Sequence, residues 1–446
     1  MKRRNFIKSA GTAMSIPLFL KGMPLAAMPK SSIFNFMDPN SDRVLVIIQM
    51  NGGNDGLNMI IPRDQYSGIA AVRSNVMIPE NKVLALTDKV GLHPVMPGIK
   101  ALFEDARLNI VQAAGYPNQN RSHFRSTDIW TSGSPANEFW NTGWLGRYFE
   151  KDHADFPENY PNPAYPHPFA ITMGSIVSQT CQGTASNFSM TLSDPFNLFP
   201  LTQGVGSETP DTPYGRELTF LRTSILQTNA YADSITEAAN GGSNKVTYPA
   251  NNRLAEQLKN VALLISGGLQ TRVYVVSIGG FDTHANQVVG SDTATGDHAT
   301  LLQQLSEAMA AFQNDLKQLN LEERVLGMTF SEFGRRIRSN ESLGTDHGTA
   351  APLLLFGTCV NPAITGDNPD ITSDIDGNEG VPMQHDFRDV YGSILKDWFG
   401  VEETVVKDLL HPEFRYLWDR LHYCYHHNLQ SLCLYILLNH LHCKDT

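Results

Sequence analysis

The chain has 446 residues, 41% hydrophobic and 18% charged, which is enough apolar material for one large α/β domain with insertions. Its formal net charge of −11 argues against a nucleic-acid binder, which needs a basic face, and leaves room only for a local basic pocket. Of five cysteines, Cys181 and Cys359 lie far apart and Cys424, Cys433 and Cys443 crowd the end. With no CxxC pair, neither a disulfide framework nor a thiolate zinc site is expected.

Residues 1–28 read "MKRRNFIKSAGTAMSIPLFLKGMPLAAM". Arg3 and Arg4 precede Phe6-Ile7-Lys8 and a weakly apolar stretch broken by Gly11, Pro17 and Lys21. That stretch is too short and too interrupted to span a bilayer. The segment resembles a twin-arginine signal, which implies recognition by the Tat export machinery and a periplasmic or extracellular destination. A plain secretory signal or a basic start without targeting meaning are the alternatives. No other apolar run reaches transmembrane length, so no transmembrane segment is expected.

After a linker at 29–42, five strands are predicted in order: Arg43–Met50, Leu108–Gly115, Thr271–Gly280, Arg324–Phe330 and Pro352–Gly357. The first, "RVLVIIQM", is a continuous β-branched run, the pattern of a strand buried on both faces. Leu302, Leu305, Met309, Phe312, Leu316 and Leu319 recur at helical spacing over 297–319, and Leu254, Leu258, Val261 and Ile265 do so over 252–265. Strands alternating with helices predict an α/β fold, a mostly parallel sheet flanked by helices, over residues 43–400. Residues 150–250 lack periodicity and are expected to be a loop-rich insertion over the sheet edge. The acidic stretch 361–384 does not have EF-hand spacing. At 416–446 the composition changes abruptly to an atypical tail, to which no function is assigned.

Polar motifs collect at the ends of these strands, where open α/β sheets carry their sites. They supply Asp55, then Ser122 and His123, then Asp282 and His284, then Glu332, then the adjacent pair Asp346 and His347, with His385 later. Mixed carboxylate and imidazole ligands suit Zn²⁺, Mn²⁺ or Fe better than Ca²⁺ or Mg²⁺. Arg121 and Arg125 flank Ser122 and could clamp an anionic oxygen. Glu332 is expected to pair with Arg335 or Arg336.

The motifs "MNGGNDGLN", "GYPNQNRSHFRSTDIW", "GGFDTHANQ", "FSEFGRR" and "GTDHGTAAP", in that order, resemble the DUF1501 family from about Arg43 to Gly400. That family is itself distantly similar to the alkaline phosphatase and sulfatase superfamily. The resemblance implies an alkaline-phosphatase-like core and a divalent metal, Zn or Mn, as one or two ions. It implies Ser122 as nucleophile, with Ser126 and Thr127 as alternatives; from their place beside Ser122, Arg121, His123 and Arg125 are the residues expected at the substrate, a structural role being the other reading of His123. Asp55, Asp346 and His347 would hold one ion; Asp282, His284 and His385 would hold the other. The spacing of Asp282 and His284 is two, where the superfamily usually shows four.

Each residue also has an ordinary structural reading. Asp55 sits in a turn sequence, Ser122 could cap a helix, and the arginines could be solvated. The function expected is an exported metal-dependent hydrolase of phosphate or sulfate esters, acting on a small-molecule or polysaccharide ester. The alternative is a catalytically inactive surface or periplasmic binding or assembly protein on the same fold, since fold does not carry function with it.

Overall fold

The computed structural model describes residues 42–198, 212, 228–371, 376 and 379–417, and the backbone of Phe19–Leu20 and Met23–Pro24. The chain divides into two units, 1–42 and 43–446. In the first, the two short backbone segments pair antiparallel. Most of the expected signal, and the tail from residue 418, lie outside the described residues.

The second unit is built on a nine-stranded sheet. In chain order its strands are β1 (Val44–Asn51), β2 (Leu108–Gly115), β3 (Ala170–Met173), β4 (Ser189–Leu192), β5 (Val273–Gly279), β6 (Val325–Phe330), β7 (Ala351–Phe356), β8 (Ala363–Thr365) and β9 (His385–Asp386). The spatial order is β8-β2-β7-β6-β1-β5-β3-β4, with β9 also paired to β2. All neighbouring pairs are parallel except those of β7, which runs antiparallel to both β6 and β2. A strand entered by its polar motif rather than left by it must run backwards to put that motif on the common edge. The direction of β7 therefore brings "GTDHGTAAP" to the carboxyl ends of the other strands.

The central strands are buried on both faces, as the continuous apolar runs require. Val44, Val46, Ile48 and Met50 of β1 enter one core, while Leu45 and Ile47 enter the other. Tyr274, Val276 and Ile278 of β5 alternate in the same way with Val273 and Val275. The first core is covered by α1 (Pro97–Glu104), a helix at 228–241, α3 (Arg253–Ser266) and α4 (Asp297–Gln318). The second is covered by α2 (His123–Ser132), Trp144–Asp152 and Phe387–Ser393. The two amphipathic helices read from the sequence thus form within a residue or two of their expected bounds.

Residues 150–250 do more than rim the sheet. They supply β3 and β4, which extend it beyond β5 in parallel register, and the helix at 228–241. Four-residue strands on an edge carry too short a pattern to stand out from loop composition. No described helix is long and apolar enough to cross a membrane.

Candidate metal centre

The loops at the strand ends lock onto one another through glycines. Gly52 follows β1 with φ +121°, and a Cβ there would collide with the backbone nitrogen of Asp282. Gly344 lies against the carbonyl of His284 with equally little room. Backbone hydrogen bonds from Phe281 to Asn51 (3.1 Å), Thr345 to Thr283 (3.2 Å) and Arg336 to Asp346 (2.9 Å) tie the loops together. Gly52 of "NGGND" and both glycines of "GTDHG" are needed because backbone approaches backbone there, and Gly53 because the ring of Phe333 lies against it.

This packing brings His123, Asp282 and His347 together, with one potential ligand atom from each within 4.8 Å of the others. His123 opens α2. Its Nδ1 lies 2.7 Å from Oε1 of Glu332, and its Nε2 lies 3.5 Å from Oδ2 of Asp282 without making a hydrogen bond. The Nδ1 of His347 lies 2.8 Å from the carbonyl of Arg121, which fixes the proton on Nδ1 and leaves Nε2 facing Oδ1 of Asp282 at 3.2 Å. Each imidazole is therefore held by its outer nitrogen to an oxygen, and its inner nitrogen points at one carboxylate. Metal-ligating histidines are oriented in this way. His284 adds a third ring, its Nδ1 2.9 Å from Oδ1 of Asp282.

The electrostatics favour an ionised carboxylate at the centre. Burial alone would raise Asp282, but the hydrogen bond and charge of Arg335, with the neighbouring imidazoles of His347 and His284, outweigh it and hold the group at about 2. Burial pushes His347 below its ordinary value, against the pull of Asp282 and the Arg121 carbonyl.

Arg335 is the structural hub. Its Nε donates to Gly53 O (2.6 Å), its Nη1 to Thr345 O (2.8 Å), and its Nη2 to Phe281 O (2.9 Å), Gly52 O and Asp282 Oδ1 (2.8 Å). Glu332 does not pair with Arg335 or Arg336. It takes the amide of Gly52 (2.9 Å) and the ring of His123 instead. Glu332 and Arg335 lie in non-helical backbone, and each is committed to other partners.

The other expected ligands are placed elsewhere. Asp55 is 1% exposed and accepts Arg73 Nη1 on Oδ1 (3.0 Å), Arg73 Nη2 on Oδ2 (3.1 Å) and Gln287 Nε2 on Oδ2 (2.6 Å). Burial would raise it, but Arg73 and then His298 bring it below the usual carboxylate range. Asp346 turns away from His347 and meets Arg336 (3.2 Å) and Asn340 (3.1 Å). His385 sits on β9, separated from β1 by β2, β7 and β6, and its ring lies beside Gly366.

Ser122 is the N-cap of α2, is exposed, and makes no side-chain capping bond. It stands between Arg121, whose carbonyl holds His347, and His123. Arg125 is occupied by Asp128, by the carbonyls of Pro135, Ala136 and Glu138, and by the ring of Phe139 (3.8 Å). A cleft of about 880 Å³ reaches from His123, Asp282 and Glu332 out to the exposed rings of Phe124 and Phe139.

Residues 228–410 match the model of DUF1501, a protein of unknown function. The DUF1501 match contains Asp282, His284, Glu332, Arg335, Asp346, His347 and His385, while Asp55, Ser122 and His123 precede it. No curated protein matches the chain. Among solved structures it is similar to the PsFucS1 sulfatase from Pseudoalteromonas sp., at 11% identity over 84% of this chain and 71% of that one, TM-score 0.36. It is similar to the lipoteichoic acid synthase LtaP from Listeria monocytogenes, at 10% identity over 81% and 73%, TM-score 0.34. It is also similar to an alkaline phosphatase superfamily protein from Vibrio parahaemolyticus, at 9% identity over 81% and 69%, TM-score 0.33.

Proposed function

We propose that the protein is a metal-dependent hydrolase of phosphate or sulfate esters, exported as its N-terminal sequence implies. The single observation that carries this reading is the convergence of His123 Nε2 and His347 Nε2 on Asp282, with their outer nitrogens held by Glu332 and the Arg121 carbonyl. The unbonded, buried Nε2 of His123 fits a cation better than a resting hydrogen-bond network. Two imidazoles and a carboxylate, with His284 beside them, form a donor set suited to Zn²⁺ or Mn²⁺.

A bound divalent ion supplies positive charge for the ester oxygens and lowers the pKa of a neighbouring hydroxyl. Ser122 offers that hydroxyl as the nucleophile, one residue from His123 and unengaged by its helix. Arg335 keeps Asp282 ionised. Glu332 fixes the ring of His123. Arg121 contributes its carbonyl to His347, and the cleft toward Phe124 and Phe139 accommodates the organic part of the ester.

The test is a 4-nitrophenyl ester panel with purified protein loaded with Zn²⁺ or Mn²⁺. Hydrolysis of a phosphate or sulfate ester, abolished in Ser122→Ala at unchanged metal content, is the expected result. Full hydrolysis by Ser122→Ala would remove the nucleophile assignment. Protein that binds no ion would remove the hydrolase reading.

A further inference from the structure

The resemblance implies one or two ions. The described residues fit an ion at His123, Asp282 and His347, and they do not fit a second ion at Asp55. The loop after β1 already meets two permanent cations. Arg73 grips both oxygens of Asp55, and Gln287 takes the remaining approach to Oδ2. Arg73 and Asp55 are both buried, with side-chain exposures of 0% and 1%. Arg335 fills the neighbouring space with bonds to the carbonyls of Gly52 and Gly53. A guanidinium stays charged at any pH the fold survives, and its fork matches a carboxylate in two parallel bonds. An entering metal ion would have to displace one such cation from a buried pair.

The remaining candidates do not rebuild that second centre. Asp346 faces Arg336 and Asn340, and His385 is on the far flank of the sheet. The local charge points the same way. Asp55, Asp282 and Glu332 against Arg73 and Arg335 leave one negative charge. One divalent ion reverses it to a single positive charge, which attracts an anionic ester. A second ion would leave three positive charges in a largely buried site.

We infer that the protein holds a single metal ion and that the Arg73 guanidinium takes the place of a second one at Asp55; this rests on the ion site proposed above. The experiment is titration of chelator-treated protein with Zn²⁺ alone, and separately with Mn²⁺ alone, by calorimetry, with metal content after dialysis read by mass spectrometry. The expected result is one ion per chain in the natural protein, one in an Asp55→Asn, Arg73→Met variant that removes the buried charges together, and none in His123→Ala, His347→Ala. Two ions per chain in the natural protein would overturn the inference and leave the ion site standing. No ion at all would overturn the ion site and the inference with it. The natural protein decides the stoichiometry even where the paired variant does not fold.

Discussion

Glu332 and His123 meet through a 2.7 Å contact between Oε1 and Nδ1, although 209 positions separate them in the chain. Glu332 lies just beyond the end of β6 and His123 opens α2, so the contact joins two strand-end loops. It decides which imidazole nitrogen is available to an ion. An outer carboxylate of this kind also raises the basicity of the ligand ring.

Glu332→Gln keeps the shape and an acceptor but loses the charge on His123. The expected effect is an ion affinity lower by about 10- to 100-fold with little change in fold. Competition against a chelator of known affinity measures it, alongside a circular dichroism spectrum. An unchanged affinity would mean that Glu332 serves only the amide of Gly52.

Removing one partner of the Asp55–Arg73 pair should be severe. Arg73→Ala leaves a buried carboxylate with only Gln287 and is expected to cost about 3–5 kcal/mol in urea unfolding. Replacing both residues, as Asp55→Asn with Arg73→Met, should recover most of that loss, because the two charges go together. If the two single changes and the double change were simply additive, the pair would not be the unit that its geometry describes.

Much of this arrangement was legible in the sequence, and the reasons for the rest are specific. Continuous apolar runs mark strands buried on both faces, and β1, β2, β5, β6 and β7 form within two residues of their expected bounds. The motifs at their ends mark the site. What the sequence hides is direction. Asp346 and His347 are neighbours, yet in non-helical backbone adjacent side chains diverge, so one meets Arg336 and the other Asp282. Arg73 lies in an unremarkable short helix, and nothing in its surroundings announces that it reaches Asp55. In the sequence His123 reads only as a neighbour of Ser122; that its Nε2 faces Asp282 depends on a carboxylate 209 residues away.

Gly52→Ala tests whether backbone approach holds the centre together. A side chain at φ +121° is strained, and its Cβ would press on the backbone of Phe281 and Asp282. We expect a loss of about 1–3 kcal/mol in stability and weaker ion binding, because the carboxylate of Asp282 is displaced from His123 and His347. Gly268→Ala is the control: φ is +90°, but no atom lies near the added Cβ, so stability should fall without a change in ion affinity. Equal ion affinities in the two variants would separate Gly52 from the site.

Acid should destabilise the fold in a window set by two buried histidines. Burial pushes His298 down to about 4 and His93 down to about 3; His298 adds to the shift of His93, and Arg335 and Arg73 add to that of His298. In the unfolded chain both titrate near 6.5. Between those values the unfolded state binds protons that the folded state refuses, so stability is full above about 6.5 and falls as pH drops toward 4. For His298 alone the loss is about 3 kcal/mol at most. Below that window Asp55 and Asp282, both held under the ordinary carboxylate range, add a further loss as they are protonated. The measurement is the urea midpoint at pH 7.5 and pH 5 for the natural protein and for His298→Gln. Gln can still offer a donor to Asn54, the 2.9 Å partner of His298 Nε2, but it does not titrate. The decline between the two pH values should therefore shrink in the variant. An undiminished decline would place the acid sensitivity elsewhere in the fold.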